Sequence, residues 1–138
     1  VEAGCRAIAE ALGLGDWSLC YQSRVGPMKW LGPSTPEALE QAAKDGVGVV
    51  LVPIAFVSEH IETLVELDIE YAELAHEAGI TPYIRVPTVS VAPDFIQGLA
   101  EGVIDALGRG GTAPWGPGCQ AMWKACPCQA EQQKGLAA

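Results

Sequence analysis

The sequence predicts an α/β fold, a Rossmann-like parallel sheet with flanking helices, from three observations. Helical and strand patterns alternate along residues 1–108 with short connections, the order that lays strands parallel and puts helices on their faces. Residues 47–52 form the apolar run Val-Gly-Val-Val-Leu-Val, as in a strand buried on both sides. Of the 138 residues, 49% are hydrophobic and 18% charged, which suits one packed core and not a disordered chain.

The elements follow in order. Residues 3–12 read as the end of a helix closed by Gly13 and Gly15, and residues 17–22 as a strand. Thr35 caps a helix over residues 36–44, with Pro36 at its first position, Glu37 in its first turn and Gly46 at its end, as helix termini prefer. After the apolar strand comes a long helix over residues 59–78 stopped at Gly79, then a strand at 83–86 and a last helix over 94–107. Gly110, Gly111, Pro114, Gly116, Pro117 and Gly118 then resist regular structure. The chain therefore divides into a lobe of residues 1–108 and an irregular C-terminal extension of residues 109–138. Charge divides at the same place, with 5 basic and 16 acidic residues before it and 3 and 1 after.

The net charge is −9, from 8 basic and 17 acidic residues. That argues against a nucleic-acid binder, which needs clustered Lys and Arg, and disfavours an anionic membrane surface. No stretch reaches the roughly 18 apolar residues that span a bilayer, and Pro53 interrupts the longest run. A cytoplasmic chain with at most peripheral membrane contact is expected. It begins at Val1 inside a helical pattern and without an initiator Met, which reads as a fragment lacking an N-terminal portion.

At about 100° per residue, Glu59, Glu62, Glu66, Glu70, Glu73 and Glu77 of the long helix share one face. Leu64, Leu67, Tyr71, Leu74, Ala75 and Ala78 collect opposite, as a stripe for packing on the sheet. No Lys or Arg lies between Lys44 and Arg85 to offset the charge. Two uses fit such a stripe: a solvated outer face, or a carboxylate ladder that guides divalent cations, which take oxygen ligands. Asp68 falls on the apolar side, where a carboxylate needs a partner such as Arg24 or Arg85. His60 points away from Glu62 on an ideal helix, so the two share a cavity only if the helix starts after His60 or is locally irregular. A histidine at a helix start is otherwise a structural hydrogen-bonder.

Ligands of open α/β sheets bind beyond the carboxyl ends of the strands, where two loops lie. Residues 22–33 combine Gln22, Ser23, Arg24 and Lys29 with Met28 and Trp30, and residues 53–60 lead through Ile54 and Phe56 into the acidic helix. Together they describe either a slot with an apolar wall, a cationic and hydroxyl rim and a carboxylate floor, or satellite core around Trp30 and Phe56. Such a slot suits a flat, apolar molecule with acid groups.

The stretches Gln22-Ser23-Arg24-Val25-Gly26-Pro27-Met28-Lys29-Trp30-Leu31 and Val52-Pro53-Ile54-Ala55-Phe56-Val57-Ser58-Glu59-His60-Ile61-Glu62-Thr63-Leu64-Val65-Glu66-Leu67-Asp68-Ile69-Glu70-Tyr71 closely resemble ferrochelatase, over about residues 1–107 and only the C-terminal half of that family. The resemblance implies one half of a two-lobed class II chelatase fold, with ferrous iron and protoporphyrin IX as substrates and haem as product. It implies Glu62 as the catalytic carboxylate with His60 in the same cavity. It also implies Glu62, Glu66 and Glu70 on the metal path, and Ser23, Arg24, Met28 and Trp30 around the porphyrin. The family has a π-helical irregularity in this helix. Its metal-binding histidine lies in the absent N-terminal half, a partner this chain needs, so the isolated chain is expected not to insert iron. A related chelatase for cobalt or nickel, and a fragment that only binds porphyrin or metal, remain as alternatives.

Five cysteines make an odd count, unlike a disulfide framework. Cys5 and Cys20 read as small buried hydrophobes. Cys119, Cys126 and Cys128 lie within ten residues in a segment with no core of its own, which fits a 2Fe-2S cluster of the kind some ferrochelatases carry near their C-terminus, a zinc site, or free thiols.

Overall fold

The computed structural model describes residues 1–24, 26, 27 and 29–109. Met28 and the three tail cysteines, Cys119, Cys126 and Cys128, lie outside the described residues, and so do the expectations attached to them. The described chain forms two units, Val1–Ser90 and a second that begins at Val91.

In the first unit, α1 spans Glu2–Leu12 and closes at Gly13, whose φ of 65° is the left-handed cap that glycine adopts without a Cβ penalty. Leu14 N–H completes the turn on the Ala9 carbonyl at 2.9 Å. The expected strand at residues 17–22 is reduced to one parallel bridge, Tyr21 with Ser34, where Tyr21 N–H donates to Pro33 O at 2.9 Å. Apolar patterning makes a segment fit to pair, but the neighbour must come from elsewhere in the chain. Among the described residues only Ser34 supplies it.

Helix α2 spans Thr35–Asp45 and is capped by Ser34, not Thr35. The Ser34 backbone N–H donates to the Glu37 carboxylate at 2.7 Å while Glu37 N–H reaches Ser34 Oγ at 3.4 Å, a reciprocal capping box. Thr35 is instead buried, and its hydroxyl donates to Gln22 Oε1 at 2.7 Å. Strand β1, Val49–Leu51, pairs in parallel with β2, Tyr83–Arg85, in the register Val49 to Tyr83, Val50 to Ile84 and Leu51 to Arg85. Both strands are shorter than expected, yet the class is α/β with a parallel sheet.

Gly48 sets how closely the two strands start. A Cβ there would lie 2.5 Å from Pro82 Cδ and 2.9 Å from its nitrogen, and Val49 N–H donates to Pro82 O at 2.7 Å next door. The core beside the sheet consists of Leu39, Ala75 and Ile80, with Val49, Tyr71 and Tyr83 packed against it.

The long helix divides in two. Glu62–Glu70 is a π-helix and Tyr71–Glu77 is α-helix α3. The wider π turn, with bonds across five residues, changes the rotation per residue and reassigns the faces. Thr63 is fully buried and Leu67 nearly so, while Leu64, expected on the packing stripe, is 49% exposed.

Two side chains of β2 fasten the π-helix to the sheet. Tyr83 donates its hydroxyl to Leu67 O at 2.8 Å, and burial, helped by the Asp68 charge, pushes its pKa up to about 12, so it stays a neutral donor. Arg85 Nη1 meets Glu59 Oε1 at 2.7 Å, and the same guanidinium takes both oxygens of Asp68. Asp68 thus has Arg85 as its partner, while Arg24 is exposed. The Asp68 carboxylate is one-third exposed, at 33%, because the π turn brings it to the sheet edge and not beneath the apolar stripe.

The second unit contains α4, Pro93–Arg109. Ile96, Leu99, Val103 and Leu107 follow one another at helical spacing along it, all exposed. No helix of the described residues is long and apolar enough to cross a membrane.

Gly48→Ala is expected to destabilise the chain by about 1–3 kcal/mol, because the added methyl must displace backbone at Pro82, and thermal unfolding measures it. Glu59 supplies a pH test: the Thr63 hydroxyl, Thr88 N–H and Arg85 hold its carboxyl down from 4.5 to about 2. A lowered folded pKa contributes stability that is complete above the unfolded value and lost as pH falls through the folded one. Denaturant titrations of Glu59→Gln should therefore show a smaller loss of stability between pH 4.5 and about 2 than the unsubstituted chain. Identical pH profiles would remove Glu59 from that role.

Candidate active site

The site forms where the loop after Tyr21 lies across the start of the π-helix. Ser23 has a φ of 65°, a left-handed conformation that non-glycine residues adopt only when the surroundings impose it. In that conformation its hydroxyl donates to Glu62 Oε2. Gln22 is the hub beside it. Its amide nitrogen donates to Glu66 Oε2 and to the Tyr71 hydroxyl at 3.2 Å, its amide oxygen accepts from Thr35, and its carbonyl accepts from Trp30 Nε1 at 3.1 Å. Gln22 therefore links the aromatic wall, the carboxylates and the start of α2.

The loop after β1 delivers His60. The π-helix begins just after this residue, which frees its ring from the helical direction that would point it away from Glu62. The His60 backbone N–H donates to Thr63 Oγ1 at 2.9 Å, and the same hydroxyl donates back to His60 O at 3.0 Å. The ring accepts at Nδ1 from Glu62 N–H at 3.2 Å. Phe56 packs against the ring edge-on, with centroids 4.6 Å apart. Thr63 thus fixes the backbone of His60, and Glu62 and Phe56 fix its ring.

The six glutamates do not act as one stripe. Glu62 and Glu66 are half-buried and meet Ser23 and Gln22, while Glu59 turns onto Arg85 and Thr88. Glu70, Glu73 and Glu77 are exposed. Glu62 and Glu66 each accept from a neutral donor and belong to no ion pair among the described residues. Nor do Glu62, Glu66 and Glu70 converge: among the described residues no group of three His, Cys, Asp or Glu side chains could hold one metal ion. The three are arranged in succession, the outermost open to water.

Trp30 is 39% exposed and, among the described residues, is hydrogen-bonded to the site through Gln22. Arg24 and Lys29 are exposed on the same loop. A separate open depression of about 620 Å³, lined by Asp68, Ile69, Ala72, Glu73, His76 and Glu77, contains none of these residues.

Sequence patterning did not single out Gln22, Thr63 or Tyr71. Gln22 had a detectable signal, since it adjoins Ser23 in the same motif. Thr63 had only its three-residue distance from His60, and Tyr71 was assigned to the packing stripe.

A ferrochelatase family profile matches residues 1–107. The chain is 53% identical over 133 residues to the ferrochelatase of Caulobacter vibrioides, covering 94% of this chain and 38% of that protein. It is 54% identical over 109 residues to the ferrochelatase of Synechococcus elongatus, covering 78% and 28%, and 46% identical over 133 residues to that of Pelagibacter ubique, covering 93% and 39%. The chain thus spans well under half the length of these relatives. With the family profile matched along 107 residues and both loops of the site inside that match, the chain belongs to the ferrochelatase family.

Proposed function

We propose that this chain supplies one part of an active site that inserts ferrous iron into protoporphyrin IX to form haem. The observation that carries it is the joining of the two motifs at one point, the Ser23 hydroxyl on the Glu62 carboxylate. Insertion exchanges two pyrrole N–H protons for one dication, so the site needs a base near the ring centre and a path on which iron sheds water in stages. Glu62 is that base, with His60 beside it. Glu66 and, toward solvent, Glu70 form the path. Successive carboxylates that do not chelate together pass a hard cation along without trapping it.

The porphyrin lies against Trp30 and Met28, with Ser23 and Arg24 at a propionate. The Ser23 hydroxyl has one proton to donate. A propionate that accepts it frees Glu62 Oε2, which couples substrate arrival to exposure of the base. The remainder of the enzyme completes the pocket, and this chain alone does not turn over. A cytoplasmic location, with peripheral membrane contact, belongs to the same proposal.

Cys5 and Cys20 are partly buried, and burial pushes the Cys20 thiol pKa up. A 2Fe-2S cluster is proposed for the tail, with Cys119, Cys126 and Cys128 as three of its thiolate donors and the fourth unassigned.

In the complete enzyme, Glu62→Gln is expected to lower iron insertion by at least about a hundredfold, as loss of an acid–base group does, while protoporphyrin binding followed by fluorescence quenching persists. Undiminished turnover would remove Glu62 as the base. For the tail, anaerobically purified protein from iron-replete cells should show sulfur-to-iron charge-transfer absorbance that Cys126→Ser abolishes. A colourless, iron-free preparation would end the cluster assignment.

A further inference from the structure

Arg85 ends β2 with its side chain only 10% exposed, and no step of the proposed insertion uses it. Its guanidinium joins two carboxylates nine residues apart. Nη1 meets Glu59 Oε1 at 2.7 Å, and Nε lies 2.7 Å from Asp68 Oδ1 while Nη2 takes Asp68 Oδ2. Between those two anchors lie His60, Glu62 and Glu66. The Glu59 anchor is doubled, because Oε1 also accepts from Thr88 N–H at 2.9 Å.

We propose that Arg85 is a positioning residue for iron insertion: by gripping Glu59 and Asp68 together it fixes the rotation of the first π-helical turns, and with it the direction in which His60 and Glu62 face the substrate. The proposal rests on the insertion chemistry assigned above to Glu62. Three features support it. A π-helix is rare and occurs mostly as a single-turn bulge inside an α-helix, so the rotation of a nine-residue one depends on ties from outside. Arg85 is the only Lys or Arg between Lys44 and Arg109, so no other Lys or Arg in that stretch of sequence can take its place. The paired contact on Asp68 uses the planar fork of guanidinium, which holds an orientation where an ammonium holds only a charge. Register adds the location: Arg85 pairs with Leu51, the last residue of β1, so the grip sits at the strand end from which the loop to His60 departs.

The test compares Arg85→Met and Arg85→Lys with the unsubstituted complete enzyme, by steady-state kinetics and by amide hydrogen exchange. Misdirected reacting groups cost about tenfold to a hundredfold in rate. Arg85→Met should lose that much kcat while KM for protoporphyrin changes by less than about twofold. Amides of residues 62–68 should exchange faster in it while those of α2 keep their protection, and Arg85→Lys should fall between on both measures. Unchanged kcat would overturn the proposal. So would exchange that rises evenly over α2, β1 and the π-helix, since that marks a general loss of stability. Should Arg85→Met fail to fold, Arg85→Lys decides by the same two measures. Absence of iron insertion by the unsubstituted enzyme would defeat the role given to Glu62, and the exchange pattern would still decide whether Arg85 holds the π-helix.

Discussion

Between residues 59 and 77 the chain sets six glutamates and one aspartate, and Arg85 is the next Lys or Arg in the sequence after Lys44. Like charges at helical spacing repel, so the fold must give each carboxylate an environment. It does so in three ways. Arg85 takes Glu59 and Asp68 into ion pairs at the sheet edge. Ser23 and Gln22 meet Glu62 and Glu66 with neutral donors. Glu70, Glu73 and Glu77 are left to water, where repulsion is screened.

That division of labour has a chemical consequence. A carboxylate in an ion pair is committed, whereas one held by a hydroxyl or an amide keeps its charge for a proton or a metal. Arg85 takes Glu59 and Asp68, while Glu62 and Glu66 are oriented by neutral donors. The π-helix makes this separation possible. On an ideal α-helix Glu59 and Glu62 share a face, whereas here the chain enters the π-helix after His60, so that Glu59 turns to Arg85 and Glu62 to Ser23.

Local chemistry was legible wherever it acts over a few residues. The α2 helix with Gly46 at its end, and the closure of α1 at Gly13, follow from capping preferences that need no partner beyond the next turn. Ser34 displaced Thr35 as the cap because Thr35 is drawn toward Gln22, thirteen residues away. The strand at residues 17–22 failed for a similar reason: its patterning was sound, but pairing is decided by which edge lies alongside. Of the candidate site, Ser23, Glu62 and His60 were named from the two motifs. Gln22 opens the first motif, but its linking role was not legible, because a side-chain amide serving three partners at once looks in sequence like any polar loop residue.

Sequence alone determined the α/β class, the family, the excess of carboxylate over cation and the two loops that carry the family motifs, since these depend on residue type and order. Tertiary structure decided which carboxylates are paired and which stay available. It also decided how far around its axis the helix is turned and which backbone strains to deliver a hydroxyl. These outcomes depend on contacts between residues far apart in the chain, such as Gln22 and Glu66, 44 positions apart, and Gln22 and Tyr71, 49 apart. Bonds of that reach form only once the sheet and the π-helix have been brought together, and no periodicity along the chain encodes them.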